Sequence, residues 1–207
     1  MKFSINRKTI KAMLNFAAKS DIRYYLQGLC VTQNNRGTYI EGTDGHILGR
    51  LLIDSKPLPE NQVILSTDSL LKLKGTKKQS EEILHFTIEG QSVEVISNDE
   101  TMRFMACDAK FPNTDRVIPL VIKDESLKSA TFNPDLLVRF VDFSADILGK
   151  RQVPSLIQRG SESALVGFGE LIPDFIGVIM PMRVENGCSI PQFCFASKTI
   201  ENSLAEV

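Results

Sequence analysis

Asn6-Arg7-Lys8-Thr9-Ile10-Lys11-Ala12-Met13-Leu14-Asn15-Phe16-Ala17 sets Ile10, Met13, Leu14 and Ala17 at i, i+3, i+4 and i+7. That is the apolar stripe of a helix that covers a core with one face. Asn6 stands where a cap would be, and the few residues before it read as a strand. After the helix, Tyr24 to Gln33 and Thr38 to Asp54 are apolar and β-branched. Asn34-Asn35-Arg36-Gly37 between them is hairpin chemistry, because Asn and Gly tolerate positive φ. Pro57 and Pro59 then break the chain.

The same order returns. Val63 to Leu65 reads as a strand, Ser66 or Thr67 as a cap, Leu70, Leu71 and Leu73 as a helix, and Gly75 as its end. Strands are expected at Ile83 to Glu89, Ser92 to Ser97 and Met102 to Ala106, with Gly90-Gln91 as a tight turn. A third copy starts near Ser129: Ala130 to Phe132 is strand-like, and Asn133-Pro134 is an N-cap followed by proline at the first helical position. Leu136, Leu137, Phe140 and Val141 should face inward, followed by strands at Val153 to Arg159, Ala164 to Phe168 and Phe175 to Val184. The chain thus divides into units 1–55 and 56–119, together one domain over 1–119, a linker 120–128, a third unit 129–184 and a tail 185–207. A repeat of this kind buries its cores unit against unit, and an odd number leaves one without a pair.

The 207 residues carry 24 Lys+Arg against 25 Asp+Glu, a formal net charge of -1, so any nucleic-acid surface has to be local. A hydrophobic fraction of 43% excludes a disordered chain. The longest apolar stretch, Ile176 to Met182, is far short of the roughly 20 residues of a spanning helix, and the charged start lacks a signal peptide's apolar segment. A cytoplasmic protein without a membrane association is expected. Cys30, Cys107, Cys188 and Cys194 form no CxxC pair and only His46 and His85 could join them, so no metal site and no cofactor are expected. No phosphate-binding loop, GxSxG or HExxH occurs, which disfavours an enzyme. Thr43-Asp44-Gly45-His46 could offer Asp44 and His46 to a metal; a turn between strands explains it more simply.

Charge is uneven along the chain. Arg7, Lys8, Lys11 and Lys19 have no acid among them, and Lys72, Lys74, Lys77 and Lys78 have only Asp68 nearby. A basic face can be merely solvated, but two equivalent helices with one bias suggest a shared polyanion met through its phosphates.

Four motifs in order carry a resemblance: Arg23-Tyr24-Tyr25-Leu26-Gln27-Gly28, Gly42-Thr43-Asp44-Gly45-His46, Phe111-Pro112 with Arg116-Val117-Ile118-Pro119, and Val178-Ile179-Met180-Pro181-Met182-Arg183. Together they resemble the bacterial DNA polymerase III beta subunit, the sliding clamp, over about residues 1 to 184. Units one and two look like that family's middle domain and unit three like the second half of its last domain. The resemblance implies an α+β DNA-clamp fold built from three strand-helix-strands half-units.

It further implies a processivity or scaffold protein of DNA replication, not an enzyme. A cleft for clamp-recognition peptides would comprise Leu26, Thr43, Gly45, His46, Leu48, Pro112, Arg116, Val117, Val178, Ile179, Met180, Pro181 and Met182. Soft Met180 and Met182 suit a pocket that accepts several peptides. Duplex DNA would be contacted without sequence preference by Arg7, Lys8, Lys11, Tyr24, Tyr25, Lys72, Lys74, Lys77 and Lys78. Implied partners are a DNA polymerase, other proteins carrying clamp-binding peptides, a clamp loader, and further copies of the chain in a homo-oligomer. The sequence departs from the family at Ile47, commonly basic there, and in lacking the first domain and the first half of the last. A decoy that occupies clamp-binding peptides without encircling DNA is the alternative. Pro191-Gln192-Phe193-Cys194-Phe195 in the tail loosely resembles such a peptide.

Overall fold

The computed structural model describes residues 1–73, 75–76, 79–98, 100–118, 130–158 and 162–183. Unit one is β1 (Lys2–Asn6), α1 (Arg7–Met13), β2 (Gly28–Asn34), β3 (Gly37–Thr43) and β4 (Ile47–Asp54). Unit two repeats it as β5 (Asn61–Ser66), α2 (Thr67–Lys72), β6 (Ile83–Glu89), β7 (Ser92–Ile96) and β8 (Thr101–Met105). Unit three is α3 (Pro134–Leu148), β9 (Ser155–Ile157), β10 (Ala164–Gly167) and β11 (Phe175–Ile179).

Units one and two exchange their first strands. β1 pairs antiparallel with β6, and β5 with β2. The registers match, since the cap residues Asn6 and Ser66 face Ile83 and Gly28, the first residues of the receiving strands. Unit three joins by another route, β11 running antiparallel to β4. The result is one sheet ordered β1-β6-β7-β8 and a second ordered β5-β2-β3-β4-β11-β10-β9.

Glycines make that second sheet possible. Gly42 faces Gly49, and Gly49 faces Gly177 across the β4–β11 seam, so the three share one face of three adjacent strands. A Cβ on Gly49 would lie 2.4 Å from the Phe16 ring, and one on Gly177 would lie 2.3 Å from the Phe140 ring. The rings therefore rest on bare backbone. Phe16 lies 5.1 Å from Phe140 and 5.4 Å from Phe143 between centroids, and Phe143 stacks on Phe175 at 4.3 Å. Full burial of each such ring contributes roughly 1.5–3 kcal/mol, with about 0.5–1.5 kcal/mol more per well-set pair. This cluster joins unit one to unit three, and α1 packs on α3 above it.

Locally the chain departs from several expectations. Helix α1 stops at Met13, so Phe16 and Ala17 are buried from the turn that follows it, and the Asn6 side chain makes no cap bond. Tyr24–Leu26 is a 3-10 turn and not the start of a strand, closed by Leu26 N–H donating to Arg23 O at 2.8 Å. Asn133 and Ser66 cap as expected, through Asp135 N–H and Ser69 N–H. In α3 the fully buried positions are Phe140, Phe143 and Ser144, while Leu136, Leu137 and Val141 are only half-buried, because α3 faces the aromatic cluster. The strand expected at Ala130 to Phe132 is a single bridge from Thr131 to Met182. β9 is three residues long and β11 ends at Ile179. The linker 120–128, the tail 185–207 and Lys74, Lys77 and Lys78 lie outside the described residues.

Gly177→Ala should lower stability by about 1–3 kcal/mol, the usual cost of overpacking a filled core. Gly167→Ala, where an added Cβ meets nothing within 4 Å, should leave the denaturation midpoint nearly unchanged. Equal midpoints for the two variants would mean that the rings do not depend on the glycine row.

Candidate peptide-binding cleft

Pleating sends residues next to the glycine row to the opposite face. Thr43 faces Leu48, Leu48 faces Val178 and Val178 faces Leu165, a row across β3, β4, β11 and β10 turned away from the aromatic core. Leu48, Leu165 and Val178 form a separate apolar cluster with Val117, Ile118 and Ile176 packed against it. The floor of a cleft is thus built on the seam itself.

Its walls come from three segments. The 3-10 turn supplies Leu26, the stretch after β8 supplies Pro112, Asn113, Thr114 and Val117, and Met180 follows the end of β11. With Arg23, just before the 3-10 turn, and Gly45, His46 and Ile47 from the turn after β3, they enclose about 170 Å³. Such a mainly apolar concavity with a few polar groups at its edge suits an apolar side chain presented by a peptide.

The turn is held by its own side chains. Asp44 Oδ1 accepts from His46 N–H at 2.8 Å and Ile47 N–H at 3.0 Å, and the Thr43 hydroxyl donates to Ile47 O at 2.6 Å. Gly45 takes φ +94°, and a Cβ there would also press on the Arg23 guanidinium at 3.1 Å. Asp44 Oδ2 pairs with Arg139 of α3, which also donates to Asn15 O and, at 2.9 Å, to Ala17 O. Both Asp44 oxygens are therefore engaged in structure, and no cluster of three metal-ligating side chains occurs among the described residues. The reading of Asp44 and His46 as a turn accounts for them.

The wall after β8 is pinned from below. Glu41 and Arg50 are cross-strand partners joined at 2.8 Å, and the Thr114 hydroxyl donates to Glu41 at 2.6 Å while accepting from Arg50 at 2.8 Å. Asp115 binds Arg36 at 2.7 Å and Arg50 at 2.8 Å, and Arg50 lies over the Tyr39 ring. Burial pushes the Glu41 carboxyl up against the pull of Arg50 and Thr114, whereas the Arg36 hydrogen bond, then Arg50, holds Asp115 below the usual carboxylate range. At the rim, the Arg23 hydrogen bonds hold Asp21 down to about 2.

Most of the expected cleft residues converge: Leu26, Thr43, Gly45, His46, Leu48, Pro112, Val117, Val178 and Met180 all line it. Arg116, Pro181 and Met182 do not line it, and Ile179 is buried in the main core with its cross-strand partner Ile47. Sequence reasoning missed Arg23, Asn113 and Thr114 and treated Ile47 only as a departure; each sits inside or beside a quoted motif.

The basic residues are less uniform than their spacing suggests. Arg7 is buried, bound to Glu82 at 2.7 Å and to Leu73 O at 2.6 Å, so it is a structural residue and not a free cation. Lys8 pairs with Glu81 and Lys11 with Asp146, both at the surface. Lys72 and Tyr24 are exposed, the Tyr24 hydroxyl donating to Asp108 O, and Tyr25 is half-buried against Leu26 and its neighbours.

No family model matches the chain. Its sequence is 26% identical over 126 residues to the Beta sliding clamp of Pseudomonas aeruginosa and 26% over 135 residues to that of Pseudomonas putida. These matches cover 58% and 61% of this chain but 34% and 36% of those proteins, so the chain aligns with about a third of the length of the curated relatives it matches. The DNA polymerase III subunit beta of Pseudomonas aeruginosa shares the fold at TM-score 0.69 and 20% identity, over 89% of this chain and 67% of that one. That of Borrelia burgdorferi, solved in complex with a natural product, does so at 0.73 and 11%, over 89% and 63%. In fold, and in sequence over about three fifths of its length, the chain is similar to the bacterial beta sliding clamps, the DNA polymerase III beta subunits, and its α+β architecture is theirs.

Proposed function

We propose that this chain is a sliding-clamp-like processivity or scaffold protein of DNA replication, acting in the cytoplasm without catalysis of its own. The apolar cleft on the β4–β11 seam carries this reading, since its floor of Leu48 and Val178 and its walls at Leu26, Val117 and Met180 fit the apolar anchors of a clamp-recognition peptide. The partners are a DNA polymerase and other proteins that carry such peptides, with a clamp loader and further copies of the chain. Among the solved structures of the same fold, a Pseudomonas aeruginosa sliding clamp is bound to griselimycin, which supports a ligand-holding role for a clamp of this fold. Duplex DNA would be met through phosphates by Lys8, Lys11 and Lys72 with Tyr24. Surface ion pairs such as Lys8 with Glu81 are worth only about 0–1 kcal/mol, so these lysines remain able to change partners.

A labelled peptide of Gln-aliphatic-x-Leu-Phe character should bind, and Val178→Ala/Met180→Ala should weaken it at least about tenfold, or ~1.4 kcal/mol, in an anisotropy titration. Met182→Ala, outside the lining, should bind like the parent. Superimposable curves for the double variant and the parent, with both folded by thermal melt, would remove the cleft from consideration.

DNA retention should be indifferent to sequence and steeply dependent on salt. If Lys8 and Lys11 each neutralise a phosphate, Lys8→Glu/Lys11→Glu should flatten the slope of log K against log salt by about 2, at roughly 0.9 per contact. An unaltered slope would mean that these lysines serve only their acidic neighbours.

A further inference from the structure

The strand exchange that closes units one and two has no counterpart among the described residues of unit three, which keeps only the bridge internal to a unit. In unit two, Ile64 of β5 lies between two partners: Cys107, beyond the end of β8, donates its N–H to Ile64 O at 2.9 Å, and Cys30 of β2 faces Ile64 on the other edge. Thr131 holds the same place in unit three. It precedes the cap Asn133 by two residues, as Ile64 precedes the cap Ser66. Met182, beyond the end of β11, donates its N–H to Thr131 O at 2.7 Å. Among the described residues, no strand takes the other edge of Thr131.

β9 is the complementary gap. Because Gly49 faces Gly177, the two units are related by an approximate two-fold axis at the seam. One residue further along each chain, Arg50 faces Glu41, which faces Cys30; Val178 faces Leu165, which faces Ile157. Ile157 thus holds the place of Cys30, and Leu156 that of Leu29. Leu29 and Cys30, on a strand whose edge is paired to β5, are both 0% exposed, whereas Leu156 is 39% and Ile157 45% exposed on β9, the last strand of their sheet among the described residues. An apolar edge strand of this kind is a template for another strand.

We propose that unit three is completed by unit three of a second copy of this chain. Residues 130–132 of each copy pair antiparallel with β9 of the other about a two-fold axis, with Thr131 opposite Ile157 as Ile64 is opposite Cys30. The gap has two halves, a strand to give and an edge to receive, and one unit of this chain supplies both in matching register. A lone strand from residues 185–207 would fill β9 and leave 130–132 unpaired. The contact is isologous and therefore closes at two copies. It rests on the repeat and is independent of what the cleft binds.

Light scattering on the full chain should give the mass of two chains, and Leu156→Lys should return the mass of one with unchanged circular dichroism. On oxidation, Thr131→Cys/Ile157→Cys in a Cys107→Ser/Cys188→Ser/Cys194→Ser background should form a disulfide-linked dimer. Thr131→Cys/Ser155→Cys, two residues out of register, should link at least tenfold less, and this comparison decides the matter if Leu156→Lys fails to fold. A monomer that does not cross-link overturns the proposal, as does a dimer that Leu156→Lys leaves intact. A full chain that dimerises only after residues 185–207 are removed also overturns it, because the tail would then be the occupant.

Discussion

Gly49 and Gly177 meet across the β4–β11 seam without a Cβ between them, which lets the Phe16 and Phe140 rings lie on the backbone of the sheet. Those two contacts fix the register of unit three on unit one, and the pleat then dictates the rest. With the glycines turned to the core, Leu48 and Val178 are turned away from it and become the floor of the cleft. A slip of β11 by one residue would put an isoleucine or valine side chain under the rings and Gly177 in the cleft, so core and site are specified by the same pairing.

Charge holds what packing has placed. Arg139 reaches from α3 to Asp44 in the turn after β3 and to the carbonyls of Asn15 and Ala17, linking the helix of unit three to the rim of the cleft in unit one. Glu41 and Arg50 sit beneath the opposite wall. A buried ion pair gains little net stability over an apolar substitute. Its value here is positional, because Thr114 completes the hydrogen bonding of both partners and is carried to the cleft by doing so.

What the sequence made legible was chiefly local. The Asn34 to Gly37 hairpin, the Asn133-Pro134 helix start and the strand-helix-strands order of units one and two are written in neighbouring residues and formed, while the leading strand of unit three is reduced to the Thr131–Met182 bridge. Most of the cleft was legible through motifs, but the motifs run continuously along the chain while a sheet alternates. Val178 and Met180 on one face already place Ile179 on the other, which is where it lies. Arg7 was misread for a different reason. Its acid, Glu82, is 75 residues away and is delivered by the β1–β6 pairing, which no count of charges along α1 can register.

The cleft exists only where unit one and unit three are joined, because Leu48 belongs to one and Val178 to the other. The same holds at its rim, where Met180 N–H donates to His46 O at 2.9 Å across the two units. A ligand seated on that floor therefore favours the joined state over any state in which β11 has left β4, by RT ln(1 + [L]/Kd) when only the joined state binds. Binding and assembly of the third unit are in this way one equilibrium. The glycine row is its structural basis, since the contact that lets Phe16 and Phe140 reach the sheet also brings Leu48 and Val178 side by side.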